Sequence, residues 1–120
     1  MTEIEKTKLL KLELLFWGFW KEQGNQHIYA FMPNSLRPSA HNKADLLIKS
    51  EDNSLIVVDK YQLCIEGTQS ILRFSNNDYY LRKISENNNR VVLTLEDIDG
   101  KMLVFENVTV MQPELLYSIN

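Results

Sequence analysis

Leu15-Phe16-Trp17-Gly18-Phe19-Trp20-Lys21 and the nearby run His27-Ile28-Tyr29-Ala30-Phe31 hold the largest side chains of this sequence. Both tryptophans and three of the five phenylalanines lie between Phe16 and Phe31. Because aromatic side chains bury the largest areas, these two runs predict where the core forms. A glycine inside a strand pattern typically marks a bulge or a bend, so Gly18 indicates the corner of a small barrel.

The segment between the two aromatic runs carries a turn signal. Gly24-Asn25 interrupts the pattern between Trp20 and Ile28. A short turn at this point would make the two runs antiparallel neighbours in a hairpin.

The residues before the aromatic runs predict a short helix. Thr2 and Glu5 have the spacing of a capping box, in which each side chain accepts a hydrogen bond from the other residue's backbone. We therefore expect a helix that ends at about Leu10. The segment from Leu10 to Leu14 also alternates with a period of two, so it could instead begin the first strand early.

Length and composition predict one globular domain spanning residues 1–120. The chain is 44% hydrophobic and 24% charged, with a formal net charge of -3 and a pI of about 5.4. Because phosphate binding needs a basic surface, no nucleic-acid partner is expected. Arg73, Arg82, Lys83 and Arg90 fall on alternating strand positions among acidic residues, and we interpret them as a solvated outer face.

The beginning of the sequence predicts a cytoplasmic protein. Met1 to Glu5 is acidic, whereas a secretory leader begins with basic residues and continues with an apolar run. The longest apolar segment runs from Leu14 to Trp20 and is far below the roughly 20 residues that cross a bilayer. We therefore expect no membrane span. Cys64 is the single cysteine, so no disulfide within the chain is possible.

Beyond Lys43, short runs of alternating or β-branched residues are separated by turn signals. Strands that recur about every 8–12 residues with a turn between each pair are typical of an antiparallel meander that closes or sandwiches. Together with the two aromatic runs, they make eight or nine strands. The predicted strands in this part of the chain are 44–49, 55–58, 61–66, 71–74, 79–84, 91–95 and 102–110.

The order of these motifs resembles bacterial lipocalin-like domains and, more broadly, the calycin barrels. The motifs concerned are Phe16-x-Gly18-x-Trp20, Tyr29-x-Phe31, Tyr80-x-x-x-Ile84, Val91-Val92-Leu93-Thr94, and an Asp99-Gly100 hairpin that leads into Val104-Phe105-Glu106. The resemblance extends from Leu15 to Val108. It implies an all-β fold, an antiparallel up-and-down barrel of about eight strands with a short N-terminal helix. It also implies that Trp20 closes one end of the barrel and that the helix plugs the base.

One long segment departs from that family pattern. Residues 32–42 contain Pro33 and Pro38, where the family often has a Gly-rich hairpin after Tyr-x-Phe. Proline cannot donate to a strand ladder, so these residues predict a loop longer than usual. Such a loop is either a lid or binding loop, or a solvated crossover without a role. A helical turn is also predicted over 113–117, where Pro113 suits a first helical position.

Residues with catalytic chemistry are few. His27 and His41 are the only histidines, and neither has metal-ligand spacing with Cys64. Cys64 alternates with Leu63 and Ile65, so it faces away from their side of the strand and is interpreted as an inert thiol. Phosphate loops, serine elbows and paired carboxylates are absent from the sequence. We therefore expect no enzymatic activity, no metal and no cofactor.

Two functional hypotheses remain open at this stage. In the first, the barrel holds a small hydrophobic or amphipathic ligand, with the 33–42 loop at its mouth and Tyr29 or Tyr61 orienting a polar head. In the second, the barrel is filled by its own aromatic residues, and the protein acts through its surface as an inhibitor, an immunity-type partner or a homodimer. An enclosed apolar cavity of about 300 Å³ would favour the first hypothesis, and a close-packed interior the second. The predicted ligand contacts are Tyr29, Phe31, His41, Tyr61, Leu63, Ile65, Leu81, Leu93 and Phe105.

Overall fold

The computed structural model describes residues 2–33, 45–51, 54–87 and 90–108. Within these ranges one helix is followed by eight strands that form a closed barrel in chain order, with every pair of neighbours antiparallel. The first and last strands close the barrel by pairing Trp20 with Asn107. This confirms the predicted fold class. The elements are α1 (Glu3–Phe16), β1 (Phe19–Glu22), β2 (Ile28–Met32), β3 (Asp45–Glu51), β4 (Ser54–Glu66), β5 (Gln69–Phe74), β6 (Asp78–Asn87), β7 (Arg90–Glu96) and β8 (Met102–Val108).

Helix α1 begins where the sequence predicted and ends six residues later than predicted. The backbone N–H of Glu5 donates to the Thr2 hydroxyl at 3.1 Å, and the Thr2 N–H donates to the Glu5 carboxylate at 3.3 Å, which completes the capping box. The expected end near Leu10 is wrong, as is the alternative of an early strand. Leu12 and Phe16 lie one turn apart on the same face of the helix, and the barrel buries both.

Strand β4 joins two segments that were predicted as separate strands. Its 13 residues run from Ser54 to Glu66 without interruption and pair first with β3 and then with β5. Leu47 pairs with Asp59 and the next residue, Ile48, pairs with Val57. Val58 is therefore left out of the pairing as a β-bulge, next to the predicted break between the two strands. The barrel therefore has eight strands rather than nine. The expected end of the last strand at residue 110 and the turn over 113–117 lie outside the described residues.

The two faces of the barrel wall carry different clusters. The inner cluster contains Leu12 and Phe16 of α1 and inward residues from every strand. The indole Nε1 of Trp20 donates to the carbonyl of Phe16 at 2.9 Å, which ties the last turn of α1 to β1. On the outer face of β2 and β3, a second buried cluster contains Met32, Leu46 and Ile48.

Gly18 connects α1 to β1 rather than lying inside a strand. Its φ of 121° is a backbone conformation that L side chains rarely adopt. A Cβ at this position would meet nothing within 4 Å. The glycine is therefore required by the sharp change of direction between the helix and the first strand, and not by close packing.

The outer surface carries the basic side chains among acidic partners, in agreement with the interpretation as a solvated face. Such exposed pairs contribute little to stability, typically about 0–1 kcal/mol each. Among the residues that the structure describes, no helix combines the length and the apolar character needed to cross a membrane. The ion pairs of the strand arginines are Arg73 with Asp78 at 3.0 Å and Glu66 at 3.3 Å, Arg82 with Glu96 at 3.1 Å, and Arg90 with Glu106 at 2.6 Å.

The turn between β7 and β8 is organised by one buried carboxylate. Asp97 accepts hydrogen bonds from the Asn77 side chain at 3.1 Å and from the backbone N–H groups of Asp99 and Lys101 at 3.0 and 2.8 Å. The amide of Asn77 and the Lys101 N–H, which stabilise the ionised form, lower the pKa of Asp97. Asp97 therefore links this turn to the turn between β5 and β6.

We expect Asp97→Asn to remove the part of the acid sensitivity that comes from this turn. Because the folded-state pKa is lowered, the stabilisation from Asp97 is complete above its unfolded-chain pKa of about 3.9 and is lost as the pH falls through the folded-state value. The melting temperature, followed by circular dichroism between roughly pH 2 and 7, should be lower for the variant at neutral pH and converge with wild type in acid. The control Asp99→Asn changes an exposed neighbour in the same turn. If the melting temperatures of Asp97→Asn and wild type changed in parallel with pH, Asp97 would not be a source of the acid sensitivity.

Candidate functional site

The middle of the barrel is filled by aromatic rings. Phe31 lies at the centre, with ring centroids of Phe16, Tyr61 and Phe105 at 5.0, 5.2 and 5.8 Å. All of these contacts are edge-to-face, the arrangement that aromatic pairs prefer. Phe31 and Phe105 are almost completely buried. The two described cavities lined by inward residues lie towards the ends of the barrel, on either side of these rings.

One cavity of about 620 Å³ lies at the end closed by the helix, and we call it the helix-end cavity. Phe16, Phe31 and Tyr61 belong to both this lining and the aromatic cluster of the interior, so the cavity reaches down to the filled centre. Its described lining is Leu9, Leu10, Glu13, Leu14, Phe16, Trp17, Phe31, Pro33, Asp45, Tyr61, Gln62 and Leu63.

The helix-end cavity is apolar on its helical side. Leu10 and Leu14 lie one helical turn apart and are both 57% exposed, and Trp17 at the C-cap is 61% exposed. This face of α1 points away from Leu12, which packs into the barrel. The charged groups on the described lining are the carboxylates of Glu13 and Asp45.

A second cavity, of about 350 Å³, lies at the opposite end of the barrel, and we call it the far-end cavity. Two edge-to-face ring pairs lie on its wall, Tyr29 with Phe105 and Phe74 with Tyr79, each with centroids 5.9 Å apart. The described lining is Glu22, Tyr29, Leu47, Lys49, Val58, Asp59, Phe74, Asn76, Asn77, Tyr79, Leu103 and Phe105.

The polar groups of the described lining of the far-end cavity are two carboxylates, one ammonium, two amides and two phenols. Asp59 accepts a hydrogen bond of 2.5 Å from the Ser75 hydroxyl, and Glu22 accepts one from the Asn25 side chain. Burial raises the pKa of Tyr29, and the negative charge of Glu22 raises it further. The field of Glu22 therefore reaches the phenol inside the cavity.

The structure divides the predicted ligand contacts between the two cavities. Phe31, Tyr61 and Leu63 line the helix-end cavity, whereas Tyr29 and Phe105 line the far-end cavity. The other described contacts pack in the interior cluster and belong to neither described lining; they are Ile65, Leu81 and Leu93. His41 and the loop residues after Pro33 lie outside the described residues. Pro33 itself lines the helix-end cavity, the end at which the predicted loop begins.

Sequence reasoning missed lining residues from both the helix and the strands. The predicted helix ended at Leu10 and left out Leu14, although the spacing of four between these leucines is a helical signal. Phe74 and Tyr79 flank a turn signal, and their inward direction follows from alternation with Leu72 and Leu81. Lys49 and Asp59 had no signal, because charged residues at inward positions are recognised only when the barrel closes.

Neither His27 nor Cys64 belongs to the described lining of either cavity, although His27 contacts Tyr29 of the far-end cavity. His27 is exposed at the start of β2, with its Nδ1 3.4 Å from the Tyr29 hydroxyl. Cys64 lies 3.7 Å from the Arg73 guanidinium, and burial raises the pKa of the thiol. In the described ranges, groups of three or more His, Cys, Asp or Glu able to hold a metal ion are absent.

Comparison with known proteins gives no match for this chain, whether among protein-family models, curated proteins or solved structures. The architecture, a closed eight-stranded antiparallel barrel with an N-terminal helix, is consistent with a calycin-like fold. The candidate sites rest on the geometry of the chain itself.

Proposed function

We propose that this protein is a non-enzymatic, lipocalin-like binding protein that holds one small apolar or amphipathic molecule in the helix-end cavity. The observation that carries this proposal is the cavity of about 620 Å³ between α1 and the barrel. Small-molecule sites commonly occupy about 300–1,000 Å³ and are lined mainly by apolar and aromatic groups. Phe16, Phe31 and Tyr61 would contact the apolar part of the ligand.

The lining also indicates the chemistry of the ligand. Apolar contact with Leu14, Trp17 and Leu63 would stabilise the complex by about 25 cal/mol per Å² of buried surface. Glu13 and Asp45 place negative charge beside the cavity, which disfavours the carboxylate head of a fatty acid. Gln62 can donate or accept a hydrogen bond. We therefore propose an uncharged amphipathic molecule as the ligand.

A fluorescence titration with an uncharged, environment-sensitive naphthylamine dye tests this proposal. We expect saturable binding, weakened about tenfold or more by Leu14→Glu because the variant adds a charge to an apolar wall. Ile4→Glu is the matched control, since Ile4 is 70% exposed on the same helix and does not belong to the described lining. Both substitutions are at exposed positions, so both variants should remain folded.

Three results would contradict a site in the helix-end cavity. The first is the absence of saturable dye binding to the wild-type protein. The second is equal weakening by Leu14→Glu and Ile4→Glu, which would indicate a general effect of charge on the helix. The third is unchanged binding to Leu14→Glu, which would place the dye elsewhere.

The second candidate is a protein-interaction role, and one observation favours it. Leu10, Leu14 and Trp17 are exposed apolar side chains at one end of a barrel whose centre is filled. An inhibitor, an immunity-type protein or a homodimer would cover such a face. Sedimentation velocity should then show a dimer or complex that Leu14→Glu dissociates and Ile4→Glu leaves intact. A monomer that binds the dye would favour the first candidate.

A further inference from the structure

The far-end cavity combines aromatic walls with acidic groups. Tyr29 and Phe74 are only partly buried, and both line the space of about 350 Å³. Their edge-to-face partners are Phe105 and Tyr79, which are buried more deeply. Four rings from four different strands therefore converge on one cavity.

This combination attracts cations. The face of an aromatic ring carries negative potential, and a cation within about 6 Å of the centroid is attracted to it. Glu22 and Asp59 add two carboxylates to the described lining, against the single ammonium of Lys49, so the charged side chains leave one net negative charge.

We propose that the far-end cavity is a binding site for a small organic cation of the quaternary ammonium class. The methyl groups of such a cation would pack against the rings of Tyr29 and Phe74, and its charge would be balanced by Glu22 and Asp59. A quaternary nitrogen donates no hydrogen bond, so contact with rings replaces its hydration more completely than it would for a primary amine. This site is separate from the helix-end cavity, because the contact between Phe31 and Phe105 lies between them.

Choline chloride and its uncharged isostere 3,3-dimethyl-1-butanol provide a matched pair of probes. Each is titrated into the uniformly 15N-labelled protein, and amide shifts of Tyr29, Phe74 and Tyr79 report on the cavity. We expect saturable shifts with choline at a Kd of about 1 mM or lower. The isostere has the same shape without the charge, and should bind about tenfold more weakly or not at all.

Variants separate the contributions of charge and ring. Glu22→Gln and Tyr29→Leu should each weaken choline binding about fivefold or more, whereas Tyr29→Phe keeps the ring and should retain binding. Glu66→Gln is the charge control and should leave choline binding unchanged. Glu66 is exposed and lies at the end of β4 that is away from the far-end cavity. The amide spectrum of each variant shows directly whether it is folded.

Four outcomes would overturn this assignment. The first is the absence of choline-induced shifts in the cavity amides of the wild-type protein. The second is equally tight binding of the neutral isostere, which would mean that the cavity is only apolar. Binding of choline to Glu22→Gln and Tyr29→Leu as tight as its binding to the wild-type protein would place the cation outside the cavity. The fourth outcome is tighter binding of an anion such as acetate than of choline, which would mean that Lys49 determines which ligand binds. None of these results bears on dye binding at the helix end.

Discussion

Trp20→Ala is expected to lower the free energy of unfolding by about 3–5 kcal/mol. The side chain is 2% exposed and belongs to the interior cluster. Its truncation removes a large apolar volume that the surrounding barrel cannot refill. It also removes the donor to the Phe16 carbonyl, which belongs to the last turn of α1. The loss of one partner of a buried hydrogen bond adds about 1–3 kcal/mol of desolvation to the packing loss.

Trp17→Ala is the matched control for this experiment. Trp17 is 61% exposed, three residues from Trp20, so its removal should change stability by less than about 1 kcal/mol. Urea denaturation followed by circular dichroism measures both variants. A loss below about 1 kcal/mol for Trp20→Ala would show that this residue does not close the barrel end as the resemblance to Gly-x-Trp implies.

Phe31→Ala should have an effect of the same size, about 3–5 kcal/mol, because Phe31 is the centre of the ring contacts in the barrel. It is 4% exposed and touches the rings of Phe16, Tyr61 and Phe105. Phe31→Leu keeps most of the volume but removes these ring contacts. Since aromatic pairs contribute about 0.5–1.5 kcal/mol beyond area burial, we expect Phe31→Leu to cost about 1–2 kcal/mol.

Tyr80→Leu controls for the loss of a ring as such. Tyr80 lies on the outer face of β6, where the Arg82 guanidinium lies 5.1 Å from the ring centroid, and its replacement should cost less than about 1 kcal/mol. The urea denaturation midpoints of Phe31→Ala, Phe31→Leu and Tyr80→Leu rank the three variants by stability. If Phe31→Leu were as damaging as Phe31→Ala, the ring itself, rather than the buried volume that leucine retains, would account for the loss.

The amino-acid sequence by itself determined the parts of this fold that depend on neighbouring residues. The capping box of Thr2 and Glu5 fixed the start of α1, and Gly24-Asn25 and Asp99-Gly100 marked hairpins that the barrel contains. Alternation along each strand also identified the inward side. Tyr29, Phe31, Leu93 and Phe105 all pack inside, as that period of two requires.

Only the tertiary structure decided where α1 ends and how β4 runs. The segment from Leu10 to Leu14 fits both periods, and it is helical because the barrel end accepts Leu12 and Phe16 from one helix face. Val58 forms a β-bulge because β4 pairs first with β3 and then with β5. Neither constraint can be predicted from residues that are neighbours in the sequence.

The depth of each inward residue was likewise decided by closure of the barrel. Alternation assigns Tyr29 and Phe31 to one face, but strand tilt and register place them in different cavities. Ile65 and Leu93 follow the same alternation but pack in the interior cluster. A period of two gives the direction of a side chain and carries no information on its height along the axis. The position of each binding cavity therefore depends on how eight strands and one helix meet.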